Sequence, residues 1–300
     1  MRQINRILCP VDFSDVSQHA ADHAVLMARW YTAKITALHV SNPIPIVLPS
    51  SDFSVVGYGS VPAPTDEETA EIRKSVDACF SAATPIDVDV LIDSGRPAHR
   101  IVERAASLPA DLIVIGTHGT GGFERLVLGS VTEKVLRKAS CPVMTVPPHA
   151  QTTSQLPFKR LLCPVDFSDS SLAALEFAFS VAQEGDAELT ILHVFEWLAD
   201  GAPLASRHFT VPEYRREVEN EYGGKLQALV PESVRTWCRP TTRMSHGKAY
   251  REILAAATQD GADLIVMGTH GGNALDAMLF GSTTNQVVRR ATCPVLTLRR

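Results

Sequence analysis

The chain repeats itself. Leu8-Cys9-Pro10-Val11-Asp12-Phe13-Ser14-Asp15 returns as Leu162-Cys163-Pro164-Val165-Asp166-Phe167-Ser168-Asp169, and Leu38-His39-Val40 returns as Leu192-His193-Val194. Further on, Asp111-Leu112-Ile113-Val114-Ile115-Gly116-Thr117-His118-Gly119 returns as Asp263-Leu264-Ile265-Val266-Met267-Gly268-Thr269-His270-Gly271. A repeat of about 150 residues is too long for a solenoid unit and has the length of one whole domain. The 300-residue chain therefore reads as two copies of one domain, 1–150 and 158–300. Residues 151–157, at the end of a polar, proline-rich stretch running from Pro147 to Pro157, form the linker.

Within each copy, short β-branched runs alternate with longer segments of helical period, the pattern of parallel strands joined by helices. In the first copy it predicts strands near 5–10, 34–40, 86–92, 111–115 and 142–147, and helices near 15–31, 66–83, 97–107 and 130–139. The second copy predicts strands near 159–163, 187–194, 234–243, 263–267 and 294–298. Ser14 stands where an N-cap belongs, and Ser130 with Glu133 has capping-box spacing. The expected fold class is α/β: two tandem, open, parallel five-stranded sheets with helices on both faces.

Composition narrows the function. Hydrophobic residues make up 45% of the chain, enough for a full core in each copy and incompatible with intrinsic disorder. Lys and Arg number 28 against 33 Asp and Glu, a formal charge of −5, so no nucleic-acid partner is expected. No apolar run reaches the roughly 18 residues of a membrane span, and no membrane partner is expected. The N-terminus meets Pro10 and Asp12 before a secretory apolar region can form, so the expected location is cytoplasmic. Six dispersed cysteines without a C-x-x-C pair read as reduced, mostly buried thiols.

In open parallel sheets, ligands bind beyond the carboxyl ends of the strands. There the first copy carries Gly116-Thr117-His118-Gly119, nine residues, then Gly129-Ser130. The second carries Gly268-Thr269-His270-Gly271, nine residues, then Gly281-Ser282. Glycines admit an anion close to the backbone, and a helix start offers free amides and a positive dipole. The spacing fits neither a Walker A loop nor a dinucleotide fingerprint. Its recurrence between a buried strand and a helix, with a diverged loop between, favours phosphate binding over turn-making alone.

These residues resemble the universal stress protein family, in its tandem-domain form, over nearly the whole chain. The carriers are Pro10-Val11-Asp12-Phe13-Ser14, Leu38-His39-Val40, the Gly-x2-Gly-x9-Gly-Ser motif and Cys141-Pro142-Val143, each with its second-copy partner. The resemblance implies ATP at the strand ends, with Mg²⁺ accompanying the triphosphate. It places Asp12 and Asp166 beside ribose and phosphates, Val40 and Val194 against adenine through their backbone, and Pro10 and Pro164 in the wall. Gly116, Gly119, Gly129, Ser130 and Val131 in the first copy, and Gly268, Gly271, Gly281, Ser282 and Thr283 in the second, would hold ribose and phosphates. It also implies that the fifth strands pair as a pseudo-dimer within the chain, and that tandem chains form a homodimer, with an unidentified protein client as a further partner.

The implied function is nucleotide-dependent regulation in a stress response. A slow ATP hydrolase and a nucleotide-free oligomeric adaptor are the alternatives; no dedicated general base or nucleophile elbow argues for an enzyme. The loop after Gly119 carries Glu124 and Arg125, whereas its counterpart carries Asp276 and Ala277, so the first site is expected to bind the nucleotide more tightly. His39 and His193, inside apolar strands, read as structural, and Cys9 and Cys163 as buried thiols rather than oxidant sensors. His118 and His270 lie within the glycine loops, where a role beside the nucleotide and a structural one both stay open. Phe53, Tyr58 and Trp197 fall in long loops and are assigned no site.

Overall fold

The computed structural model describes residues 4–41, 65–83, 85–119, 128–148, 150, 158–196, 212–236, 238, 240–269 and 280–299. The chain separates into two compact units, Gln3–Pro148 and a second that runs from His149 to Arg300.

The first unit contains β1 (Arg6–Val11), α1 (Asp15–Tyr31), β2 (Lys34–Ser41), α2 (Asp66–Cys79), β3 (Val88–Ser94), α3 (Pro97–Ser107), β4 (Leu112–Gly116), α4 (Ser130–Lys138) and β5 (Val143–Val146). Its strands lie in the order β3-β2-β1-β4-β5. Every pairing is parallel, with Ile7 opposite both Ile35 and Leu112. The central strands β1 and β4 are covered on both faces, and Leu8, Ile113 and Val114 are fully buried. Burying each such side chain contributes about 1.5–3 kcal/mol, which is why these runs are continuously apolar.

The second unit repeats the plan with β6 (Arg160–Pro164), α5 (Asp169–Gly185), β7 (Glu188–Phe195), α6 (Pro212–Ala228), α7 (Glu232–Arg235), β8 (Pro240–His246), α8 (Ala249–Gln259), β9 (Leu264–Gly268), α9 (Ser282–Arg290) and β10 (Val295–Leu298). Its strands run β10-β9-β6-β7-β8, again all parallel. A carboxylate fastens the amino end of each first strand: Asp111 accepts the amides of Asn5 and Arg6, and Asp263 those of Lys159 and Arg160.

Ser14 and Ser168 cap α1 and α5, each accepting a backbone N–H three residues on. The expected strand near 234–243 is wrong at its start. Pro231 opens the short helix α7, whose Val234 enters the core, and the strand begins at Pro240. The apolar residues there are spent on a helical turn, which the β-branched signal alone does not reveal. Likewise α2 stops at Cys79 and a 3₁₀ turn covers Ser81–Ala83.

Candidate functional site

In each sheet the strand order reverses beside the first strand. β1 pairs with β2 on one side and with β4 on the other, and β6 pairs with β7 and β9. The connections therefore part at the carboxyl ends of β1 and β4, leaving a crevice there. Pro10 lies in β1 with Asp12 just past its end, and Gly116 ends β4. Pro164, Asp166 and Gly268 hold the same places in the second unit.

The turn after each first strand is built to aim a carboxylate. Ser14 donates its N–H (3.1 Å) and its hydroxyl (2.6 Å) to Asp12 Oδ1, and Ser168 does the same to Asp166 at 3.0 and 2.5 Å. Each serine thus caps its helix and orients the aspartate at once. The residue between them is left-handed: φ is +65° at Phe13 and +63° at Phe167. For a non-glycine residue that conformation costs on the order of 1–2 kcal/mol, so the surrounding bonds must hold it.

The glycine loop meets this turn. A β-carbon at Gly119 would collide with Asp12 Oδ2, which places Gly119 directly against the carboxylate. Gly129 N–H donates to Thr117 O at 2.8 Å, and Gly281 to Thr269 at 2.9 Å, pinning together the two ends of each loop. Thr132 and Thr284 donate their buried hydroxyls to the carbonyls of Gly116 (2.7 Å) and Gly268 (2.9 Å). His118 Nδ1 lies 2.9 Å from Thr117 Oγ1. The loop interior, with Glu124, Arg125, His270, Gly271, Asp276 and Ala277, lies outside the described residues, as do Phe53, Tyr58 and Trp197.

The structure adds a packing role to one pair of these residues and changes the reading of another. Gly116 and Gly268 serve packing: a β-carbon on Gly116 would lie 2.9 Å from Val16 Cγ1, and one on Gly268 2.8 Å from the Ser170 carbonyl carbon. They let the start of α1 and α5 press against β4 and β9. The capping box expected of Ser130 and Glu133 does not form. Gly129 is the N-cap, Ser130 the first helical residue, and no side chain caps α4. Gly281 begins α9 in the same way. With the hydroxyl of Thr132 or Thr284 turned to a strand carbonyl, no side chain among the described residues caps the first-turn amides of α4 and α9. Ser130 and Ser282 are exposed beside them, with Val131 and Thr283 next in line.

Val40 and Val194 sit near the ends of β2 and β7, opposite Asp93 and Ser245. The preceding histidines are structural. His39 Nδ1 lies 3.0 Å from Val11 O and His193 Nδ1 2.7 Å from Val165 O, and burial pushes the His193 pKa down. All six cysteines are free, and burial pushes the Cys9 and Cys163 thiols far up, so neither is a ready thiolate. Among the described residues no three His, Cys, Asp or Glu side chains converge to hold a metal ion, and no helix is long and apolar enough to cross a membrane.

The sequence profile of the universal stress protein family matches residues 3–147 and again 157–299. The chain belongs to the universal stress protein family. Among universal stress proteins, one from Mycolicibacterium smegmatis is 28% identical over 301 residues, covering 98% of this chain and 96% of its own length. One from Methanocaldococcus jannaschii is 37% identical over 142 residues, 47% of this chain and 81% of its own. The crystal structure of a universal stress protein from Archaeoglobus fulgidus superimposes with a TM-score of 0.65 at 26% identity, covering 100% of this chain and 97% of that one.

Three features of this universal stress protein are absent from the sequence reading: the left-handed phenylalanines, the threonine ties, and a ring cluster in the second unit around Tyr222. The first two had a signal, since Asp-Phe-Ser and Gly-Ser-x-Thr both recur at matching positions. Tyr222 had none, because its ring neighbours Phe167, His193 and Phe195 come from two segments far from it in the chain.

Proposed function

We propose that each unit binds ATP at the carboxyl ends of its strands, and that occupancy regulates the protein's interactions in a stress response. The observation that supports this most is the contrast between helix starts. α1 and α5 are closed by serine side chains, whereas α4 and α9, at the crevice, open on glycine with no side-chain cap. Amides so presented, with the helix dipole behind them, form a phosphate cradle. Pro10, Asp12, Val40, Gly119, Gly129, Ser130 and Val131 would surround the nucleotide in the first unit. Pro164, Asp166, Val194, Gly271, Gly281, Ser282 and Thr283 would do so in the second, while Gly116 and Gly268 shape the site from beneath.

A divalent cation fits this arrangement only together with the nucleotide. Asp12 Oδ1 is engaged by Ser14 while Oδ2 faces Gly119, so among the described residues the strand-end turn of each unit offers one carboxylate, Asp12 or Asp166. Mg²⁺ is commonly bound by one or two carboxylates plus phosphate oxygens, and it would neutralise part of the triphosphate charge. Asp12 and Asp166 would be its protein ligands. The same reading carries the homodimer of tandem chains, a protein client and the cytoplasmic location as proposals.

The test is to denature freshly purified protein and identify the adenine nucleotide released. ATP near two equivalents per chain is expected, falling to near one in Gly119→Ala, whose methyl displaces the Asp12 carboxylate, and near one in Gly271→Ala. Release of mostly ADP with steady turnover would favour a slow hydrolase. No nucleotide, and no binding of added Mg-ATP, would defeat the proposal in favour of a nucleotide-free adaptor.

A further inference from the structure

The two strand-end turns are held in different ways. In the first unit the Phe13 ring stacks on His39 alone among the described rings, at 4.6 Å and 21°, and Phe13 is 41% exposed. In the second unit Tyr222, from α6, takes the stacked place over His193 at 5.2 Å and 18°. Phe167 is tilted to 58° against His193 and meets the Tyr222 ring edge-on at 5.4 Å. Phe195 joins from the end of β7, 5.5 Å from Tyr222, and itself stacks on His246 at the end of β8. The helix bearing Tyr222 is tied to β8 by His246–Glu219 at 3.3 Å and by a Gln227–Thr242 hydrogen bond.

Among the described residues the first unit has no counterpart to these added rings. At the strand register where Phe195 faces His246, the first unit has Ser41 facing Ser94. Tyr222 precedes the buried Leu226 by one helical turn, and the residue one turn before the buried Val76 of α2 is Ile72. The Asp-Phe-Ser turn is the same in both units, with the same left-handed strain and the same serine bonds. Among the described residues, only the second is braced through its phenylalanine from a neighbouring helix.

We infer that Tyr222 is a positioning residue of the second site, bracing Phe167 and so holding the strained turn that presents Asp166. The second turn is held in advance of its ligand by this brace, for which the described residues of the first unit have no counterpart. The consequence for affinity rests on the ATP reading above; the mechanical link from Tyr222 to the turn does not.

Two measurements on the full chain separate these levels. Amide hydrogen exchange reads the turn without ligand. Tyr222→Ile, which copies the first unit, is expected to speed exchange in 166–171 by about three- to tenfold, the worth of one or two ring pairs, and to leave 12–17 unchanged. Tyr222→Phe keeps the ring and is expected to behave as the parent, and unaltered exchange in 215–228 excludes loss of α6 itself. Ile72→Tyr, a gain that cannot act by unfolding, is expected to slow exchange in 12–17. If Tyr222→Ile leaves 166–171 unchanged, the inference falls.

Mg-ATP titration in the Gly119→Ala background then reads the second site. Tyr222→Ile is expected to weaken it by about three- to tenfold, with recovery in Tyr222→Phe. A loosened turn with unchanged ATP affinity overturns the positioning role at the site. Absence of ATP binding in the parent chain defeats the function reading, and exchange alone then judges the brace.

Discussion

The two units agree where backbone meets backbone and differ where side chains meet each other. Gly116 and Gly268, Thr132 and Thr284, and the Asp-Phe-Ser turns do the same work in both copies. At the ends of β2 and β3 the first unit has two serines, where β7 and β8 of the second have a phenylalanine and a histidine, and α2 carries Ile72 where α6 carries Tyr222. A close approach of helix to strand has one solution, a residue without a side chain, so duplication preserves it. A half-exposed corner has many fillings, and each alters how firmly the adjacent turn is held.

The largest test of that comparison is at the packing glycines. In Gly268→Ala the new methyl meets the backbone of Ser170 at 2.8–2.9 Å, which cannot rotate away. A loss of about 3 kcal/mol in the second unit is expected by urea denaturation followed by hydrogen exchange. Gly116→Ala meets Val16 Cγ1 at 2.9 Å and backbone at 3.1–3.2 Å, so the first unit should lose only about 1–2 kcal/mol. Equal losses would break the argument that the backbone contact at Gly268 is the tighter of the two.

Thr132→Val and Thr284→Val should be alike. Each removes a buried hydroxyl from a carbonyl and should cost its own unit about 1–2 kcal/mol, read from the same denaturation curves. A clear inequality would mean that one of these ties bears more of the strand–helix junction.

A smaller effect separates the two proposed phosphate cradles. α4 carries Glu133 in its first turn, whereas α9 has Asn285 at the matching position and no acid there. Glu133→Gln should strengthen Mg-ATP binding in a Gly271→Ala background by about 0.3–1 kcal/mol, most visibly at low salt. Asn285→Glu in the Gly119→Ala background should weaken it. No change in either would remove the helix start from the binding argument.

Acid gives the most gradual test. Burial lowers the pKa of His23 in the first unit and of His193 in the second from the ordinary 6.5. The unfolded chain therefore takes up protons first, so both units are at full strength above about pH 6.5 and weaken as pH falls below it. The position matching His23 is the buried Phe177, and His23→Phe should flatten the first unit's decline without touching the second's. Melting followed between pH 7.5 and about 5.5 would check it; a decline of undiminished slope would assign the acid sensitivity to other groups.

Much of this molecule was legible in the sequence. Repeated segments fixed the two units, continuous apolar runs gave the buried parallel strands, and residues just beyond those strands marked the crevice. α1 and α3 run over the residues that their period indicated, 15–31 and 97–107. The errors had local causes. Val234 carried a strand signal but lies in a one-turn helix after Pro231, and Ser130 had a capping spacing that Gly129 pre-empted.

Periodicity, capping and glycine placement are properties of neighbours along the chain, so the sequence by itself determined the duplication and the α/β class. Only the tertiary structure decided what each glycine is for, since Gly116 and Gly119 look alike until one is found against Val16 and the other against Asp12. It alone decided that Tyr222 meets both Phe167 and Phe195, with His246 stacked behind Phe195. Contacts of that kind join residues far apart in the chain, and no local preference encodes them; they exist because parallel strands bring their carboxyl ends to one edge, where side chains from every connection must pack together.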